Sequence, residues 1–126
     1  MRVTIVGVCA SGKTELARRL VARGVDARTV AQEHSHIPEL WRHQGTPDVL
    51  VYLSASARAV RRRGRLGFSS QELKDQRRRL AAARRRADLR VRTDHLSPEE
   101  VEHAVLRLLA QRDEGFAGGC GSGRLS

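Results

Sequence analysis

Apolar and polar positions along this chain fall into blocks that switch between two periods. Val3-Thr4-Ile5-Val6-Gly7-Val8 is a β-branched run suited to a buried parallel strand. Leu16, Ala17, Leu20 and Val21 then recur at helical spacing, and Gly24 sits where a C-terminal cap falls. Ala27-Arg28-Thr29-Val30-Ala31-Gln32-Glu33 reads as a weakly apolar second strand closed by Glu33. Residues 34–47 carry turn signals at Pro38, Gly45 and Pro47, and the spacing predicts a short helix over 38–44. Asp48-Val49-Leu50-Val51-Tyr52-Leu53 is an unbroken apolar run, which predicts a strand covered on both faces.

A helix follows over 56–63, then a break at Gly64 and Gly67. A longer helix is predicted over 70–87, with Leu73, Leu80, Ala83 and Ala87 on one face. Leu89-Arg90-Val91-Arg92-Thr93-Asp94 alternates apolar and polar residues, as a strand near a sheet edge does. Ser97-Pro98-Glu99-Glu100 combines a capping Ser, Pro at the first helical position and Glu three residues after the cap. The helix it opens buries Val101, Ala104, Val105, Leu108 and Leu109. From Asp113 the pattern is lost, and five glycines between 115 and 126 predict a disordered tail.

Strands alternating with helices imply a parallel sheet with right-handed crossovers, helices on both faces and a ligand site at the carboxyl ends of the strands. Four strands make a small sheet. At 126 residues the chain is read as one domain over 1–112, with 113–126 as the tail. No run of apolar residues approaches transmembrane length, and a strand beginning at residue 3 leaves no room for a signal peptide. Cys9 and Cys120 lie in separate glycine-containing segments and read as free thiols, so a reducing, cytoplasmic setting is expected.

Charge adds one local feature. The formal net charge is +10, and residues 55–92 hold 14 basic residues against Glu72, Asp75 and Asp88. The remainder of the chain is close to neutral. This stretch reads in three ways: a lid clamping phosphate, a nucleic-acid surface, or a solvated helical face.

The most specific chemistry is Gly7-Val8-Cys9-Ala10-Ser11-Gly12-Lys13-Thr14, which spells the phosphate-binding pattern G-x-x-x-x-G-K-[ST]. Gly7 and Gly12 allow a tight turn with close backbone approach, so Ala10, Ser11 and Gly12 can present N–H groups to phosphate. Lys13 supplies a point charge, and it is one of only two lysines, with Lys74. The Thr14 hydroxyl can ligate Mg²⁺, and the helix behind it adds free N–H groups. A carboxylate near Mg²⁺ is also needed. Glu33 is the first candidate and Asp94 the second, although a strand-end acid at Glu33 can equally be an ordinary loop cap.

Glu33-His34-Ser35-His36, with His43 nearby, has no neighbouring cysteine in sequence and does not match a zinc-site spacing, so no metal beyond nucleotide-bound Mg²⁺ is expected. His34, His36, Trp41, Arg42 and His43 can line an acceptor or nucleobase pocket, with Trp41 equally at home in the core. Oxidation of Cys9 would crowd the phosphate site. No Ser/His/Asp triad, Cys-x-x-Cys pair or dinucleotide fingerprint is present, and Phe68 and Phe116 are too few for a stacking platform.

The loop at 7–14, the strand 48–54 leading to Arg61, Arg62 and Arg63, the arginine-rich stretch 55–92 and the ending 87–101 together resemble the small P-loop kinases of the adenylate, gluconate and adenylylsulfate kinase type. The resemblance implies a three-layer α/β/α P-loop NTPase-like fold with a small, mostly parallel sheet and 55–92 as a lid-like segment. It implies that Lys13 and Thr14 hold phosphate and Mg²⁺, and that arginines of 61–65 and 77–86, Arg62 among them, neutralise the transferring phosphoryl group. The expected activity is transfer of the γ-phosphoryl group of ATP to a small-molecule acceptor, or slow ATP hydrolysis. Two other readings stay open: a nucleotide-binding regulatory module without phosphotransfer, motivated by the short 34–47 segment, and a nucleic-acid-binding protein using 55–92.

Overall fold

The computed structural model describes residues 1–43 and 45–119, with side chains through Asp113. Four strands form one all-parallel sheet: β1 (Arg2–Gly7), β2 (Asp26–Thr29), β3 (Val49–Ser54) and β4 (Leu89–Arg92), in the order β2-β1-β3-β4. β1 and β3 are central, which is why both read as unbroken apolar runs with almost every position buried. β2 and β4 are the edges, and each is shorter and partly exposed. β4 ends at Arg92, so Asp94 lies beyond it rather than closing it.

Helices cover both faces. On one, α1 (Lys13–Ala22) and α5 (Pro98–Gly119) bury Leu16, Leu20, Val101 and Val105 against Val3, Ile5, Val51 and Leu53. On the other, α2 (Ala57–Arg62), α3 (Ser70–Arg79) and α4 (Ala81–Arg86) bury Val60, Leu73, Leu80 and Ala83 against Val6, Leu50 and Tyr52, with Trp41 and Phe68 in the same cluster. Each fully buried Val or Leu contributes about 1.5–3 kcal/mol. Ion pairs from Arg19 and Arg23 to the buried Glu102 tie α1 to α5. The predicted capping box of α5 is present, with Ser97 N–H donating to Glu100 Oε1 at 2.8 Å and Glu100 N–H to Ser97 Oγ at 3.1 Å. A second box, Ser69 with Glu72, opens α3.

Several boundaries differ from the sequence expectation. The helix expected over 70–87 is two helices, bent at Leu80, whose side chain is fully buried. A one-residue bend leaves the stripe of Leu73, Leu80, Ala83 and Ala87 intact, so periodicity does not register it. The arginine triplets then close each helix: Arg77, Arg78 and Arg79 in the last turn of α3, and Arg84, Arg85 and Arg86 in that of α4, where cations favour the helix dipole. β2 stops at Thr29, and Glu33 sits in a separate 3₁₀ turn, Gln32–His34. The helix expected over 38–44 is a single 3₁₀ turn, Leu40–Arg42. Val21, expected inside, is exposed. Where the pattern is lost at Asp113 the chain is still helical, since α5 continues to Gly119; the rest of the expected tail, 120–126, lies outside the described residues. Among the described residues no helix is long and apolar enough to cross a membrane.

Gly7 shows how tightly the carboxyl end of β1 is built. A Cβ there would lie 2.3 Å from the Leu53 carbonyl oxygen and 2.8 Å from Ser11 Oγ. The first of these is backbone of a central strand and cannot yield. Gly7→Ala is therefore expected to cost at least about 2 kcal/mol, seen as a lower urea midpoint at unchanged slope. Gly24→Ala, at φ +83° with open space around it, should cost about 1 kcal/mol by the same assay.

Candidate functional site

The loop between β1 and α1 lies at the carboxyl end of the sheet and is braced from both sides. Val8 N–H reaches the Leu53 carbonyl at 3.3 Å, and Ser11 N–H folds back to the Val8 carbonyl at 3.2 Å. On the β4 side, Thr93 Oγ1 donates to the Ser11 carbonyl at 2.9 Å. Arg63 donates to the Ala10 carbonyl at 2.8 Å and also holds the Thr93 carbonyl. On the α3 side, the buried Gln76 amide grips Cys9 twice: its Oε1 accepts from Cys9 N–H at 2.9 Å, and its Nε2 donates to Cys9 Sγ at 3.0 Å.

Inside this frame the backbone is left-handed at two positions. Ala10 has φ +54° and Gly12 φ +100°. Gly12 tolerates this freely, whereas Ala10 does so at a cost and is kept there by Arg63 and the neighbouring turns. Left-handed residues in a tight loop can form a concavity suited to an anion. The N–H groups of Val8, Cys9 and Ser11, the last expected to face phosphate, are however already bonded within the protein. Gly12 has no side chain to cap α1, so the first turn of that helix has no side-chain acceptor for its N–H groups. Ser11 Oγ is buried there without a hydrogen-bond partner.

Lys13 closes the arrangement. Its ammonium donates to the Gly7 carbonyl at 3.0 Å, the Val8 carbonyl at 3.1 Å and Glu33 Oε2 at 2.7 Å, which uses all three donors. Glu33 is almost fully buried, and its second oxygen, Oε1, has no hydrogen-bond partner. The sequence-predicted Lys13 and Glu33 are thus brought together as an ion pair. Thr14 stands exposed beside them at the start of α1. Arg62 is not at the loop: it donates to the Asp94 carbonyl at 3.1 Å, and Arg63 takes the position beside Ala10.

Asp94 serves the chain rather than the loop. Its Oδ1 accepts from Ser56 N–H at 2.9 Å and its Oδ2 pairs with Arg92 at 3.3 Å, joining the β3–α2 connection to the end of β4. Burial alone would raise its pKa, but the hydrogen bonds from Ser56 and the Arg92 guanidinium outweigh this and hold it at about 2.

The described residues of the segment 34–47 do not line one common pocket. Trp41 is core, and with His43 it lines a cavity bounded by Thr4, Thr29, Val30 and Leu40. His34 points elsewhere, with Nε2 3.4 Å from Cys9 Sγ. Two other cavities border the carboxyl end of the sheet. One, about 170 Å³, lies beside the loop among Ala10, Ser11, Leu16, Arg63, Leu96 and Pro98. The other, about 370 Å³, is lined by Tyr52, Ser54, Arg77, Ala81, Arg84 and Arg85. Burial pushes the Tyr52 hydroxyl pKa up, against the opposing pull of Arg77 and Arg84.

Sequence reasoning missed Gln76, Arg63 and Thr93 as the loop's supports. Gln76 carried a usable signal: it is the polar residue on the apolar stripe between Leu73 and Leu80. No protein-family model matches the chain, and no curated protein matches it.

Because the Asp94 pKa is depressed on folding, the stability it contributes is full above about pH 4 and is lost as pH falls to about 2. The loss should be about 2 kcal/mol, and Asp94→Asn should be less stable at neutral pH by a similar amount with a flatter acid limb. Urea unfolding at stepped pH measures both.

Proposed function

We propose that the chain binds ATP with Mg²⁺ through residues 7–14 and transfers the γ-phosphoryl group to a small, anionic acceptor. The observation that carries this reading is the loop: a left-handed turn at Ala10 and Gly12, an uncapped helix start behind it, and an ammonium poised over it. A polyphosphate needs the N–H groups at a helix start and a positive charge close by. The small four-stranded parallel sheet with helices on both faces supports a P-loop NTPase-like fold, with the loop after its central β1.

In this reading Glu33 occupies the place of an anion on Lys13. ATP must take over that contact, and the released carboxylate can then serve Mg²⁺ together with Thr14. The cavity beside Ala10 and Leu16 suits the base, since its lining is largely apolar with one guanidinium, Arg63, able to stack on a ring. The cavity holding Ser54, Arg77, Arg84 and Arg85 suits the acceptor, because three guanidinium groups and no carboxylate line it. A cytoplasmic setting fits the ATP requirement.

A second reading, a nucleotide-binding regulatory module without phosphotransfer, has one observation in its favour. Asp94, the other candidate carboxylate, is engaged by Ser56 and Arg92.

Calorimetric titration with Mg²⁺–ATP tests the shared part of both. Wild type should bind one equivalent, and Lys13→Ala should bind at least about 30-fold more weakly, the loss of one hydrogen-bonded charge contact. Equal binding by both, or none by wild type, overturns the proposal. ADP release that depends on an added phosphate- or carboxylate-bearing acceptor then separates transferase from module.

A further inference from the structure

We infer that Cys9, Glu33 and His34 form a binding site for a soft divalent cation, with Zn²⁺ as the fitting ion. The three ligand atoms lie within 4.8 Å of one another, although the residues come from the 7–14 loop and from the turn after β2. Two of the separations are already those of a coordination polyhedron. Cys9 Sγ to His34 Nε2 is 3.4 Å, and His34 Nε2 to Glu33 Oε2 is 3.7 Å. A tetrahedral zinc with ordinary bond lengths has S···N and N···O edges of about 3.4–3.6 Å. One thiolate, one imidazole and one carboxylate make a three-protein-ligand set, with a fourth position left for water or an added ligand.

The buried Glu33 carboxylate points independently to a missing partner. Oε2, the oxygen 3.7 Å from His34, is held by Lys13, whereas Oε1 is enclosed and has no hydrogen bond. An unpaired buried carboxylate oxygen is costly, and a cation would remove that cost. Arg65 lies 3.6 Å from Cys9 Sγ, and the Gln76 amide donates to it at 3.0 Å, so the sulfur is fixed in place at the site. The sequence could not indicate this set, because 24 residues separate Cys9 from Glu33. It goes beyond the nucleotide reading and does not depend on it.

Co²⁺, titrated alone into the reduced full chain without nucleotide, reads the site directly through its thiolate charge-transfer band in the near ultraviolet and its visible bands. One equivalent should bind, be displaced by Zn²⁺, and give the same bands in Cys120→Ser. Cys9→Ser should lose the charge-transfer band. His34→Ala, whose ring is half exposed and whose removal spares the core, should weaken Co²⁺ at least about tenfold. An unchanged band in Cys9→Ser, loss of the band in Cys120→Ser, or no band in folded wild type overturns the inference. Should circular dichroism show Cys9→Ser unfolded, unchanged affinity in His34→Ala overturns it alone. Because cobalt is titrated without nucleotide and ATP binding is read by calorimetry, failure of the one reading is distinguishable from failure of the other.

Discussion

The Lys13 ammonium ties together the end of β1, the start of α1 and the turn after β2. It is largely buried, so each of its three protons needs an acceptor. Two are carbonyls of the loop that Lys13 itself ends, and the third is Glu33 in the turn after β2. Meeting that demand curls the loop back on itself and draws residues 32–34 over the carboxyl end of β1. Much of the site follows from this placement. His34 comes to Cys9, Arg79 reaches the Glu33 carbonyl at 3.1 Å, and Gln76 completes the contact between α3 and the loop. A buried pair of this kind adds little net stability against an apolar alternative, but losing one partner strands the other charge.

The arginine-rich stretch takes on a different meaning once folded. Most of its basic side chains are exposed, and several of them also hold the backbone. Arg61, Arg63 and Arg79 satisfy backbone carbonyls, and Arg90 binds the carbonyls of Arg84 and Arg85 at the end of α4. The triplets terminate α3 and α4. Short helices and tight connections leave many carbonyl oxygens without intrahelical partners, and guanidinium groups with several donors each can satisfy them. What remains as a converging set is Arg77, Arg84 and Arg85 around Ser54, which a count of charges along the chain does not distinguish from the rest.

The sheet and its faces were legible in the sequence because burial on both sides leaves an unambiguous mark. Val3, Ile5, Val49 and Val51 fill one face and Val6, Leu50 and Tyr52 the other, as an apolar run without alternation requires. The start of α5 was legible for a local reason: its capping box involves only four consecutive residues. Elements whose form depends on distant neighbours were not. Glu33 ends in a 3₁₀ turn because Lys13 holds it there, and the 70–87 helix bends at Leu80 without disturbing the buried stripe that periodicity measures.

The same division holds for the site. Local chemistry decided which residues carry it: two glycines, a lysine and a threonine in one short loop, where backbone freedom and charge are properties of the residues themselves. Distance decided the rest. Glu33 on Lys13, Cys9 beside His34, Gln76 on Cys9, and Arg63 rather than Arg62 at Ala10 are all contacts between segments far apart in sequence. Hydrogen-bond demand and close packing select such partners only once the sheet has brought its carboxyl ends together.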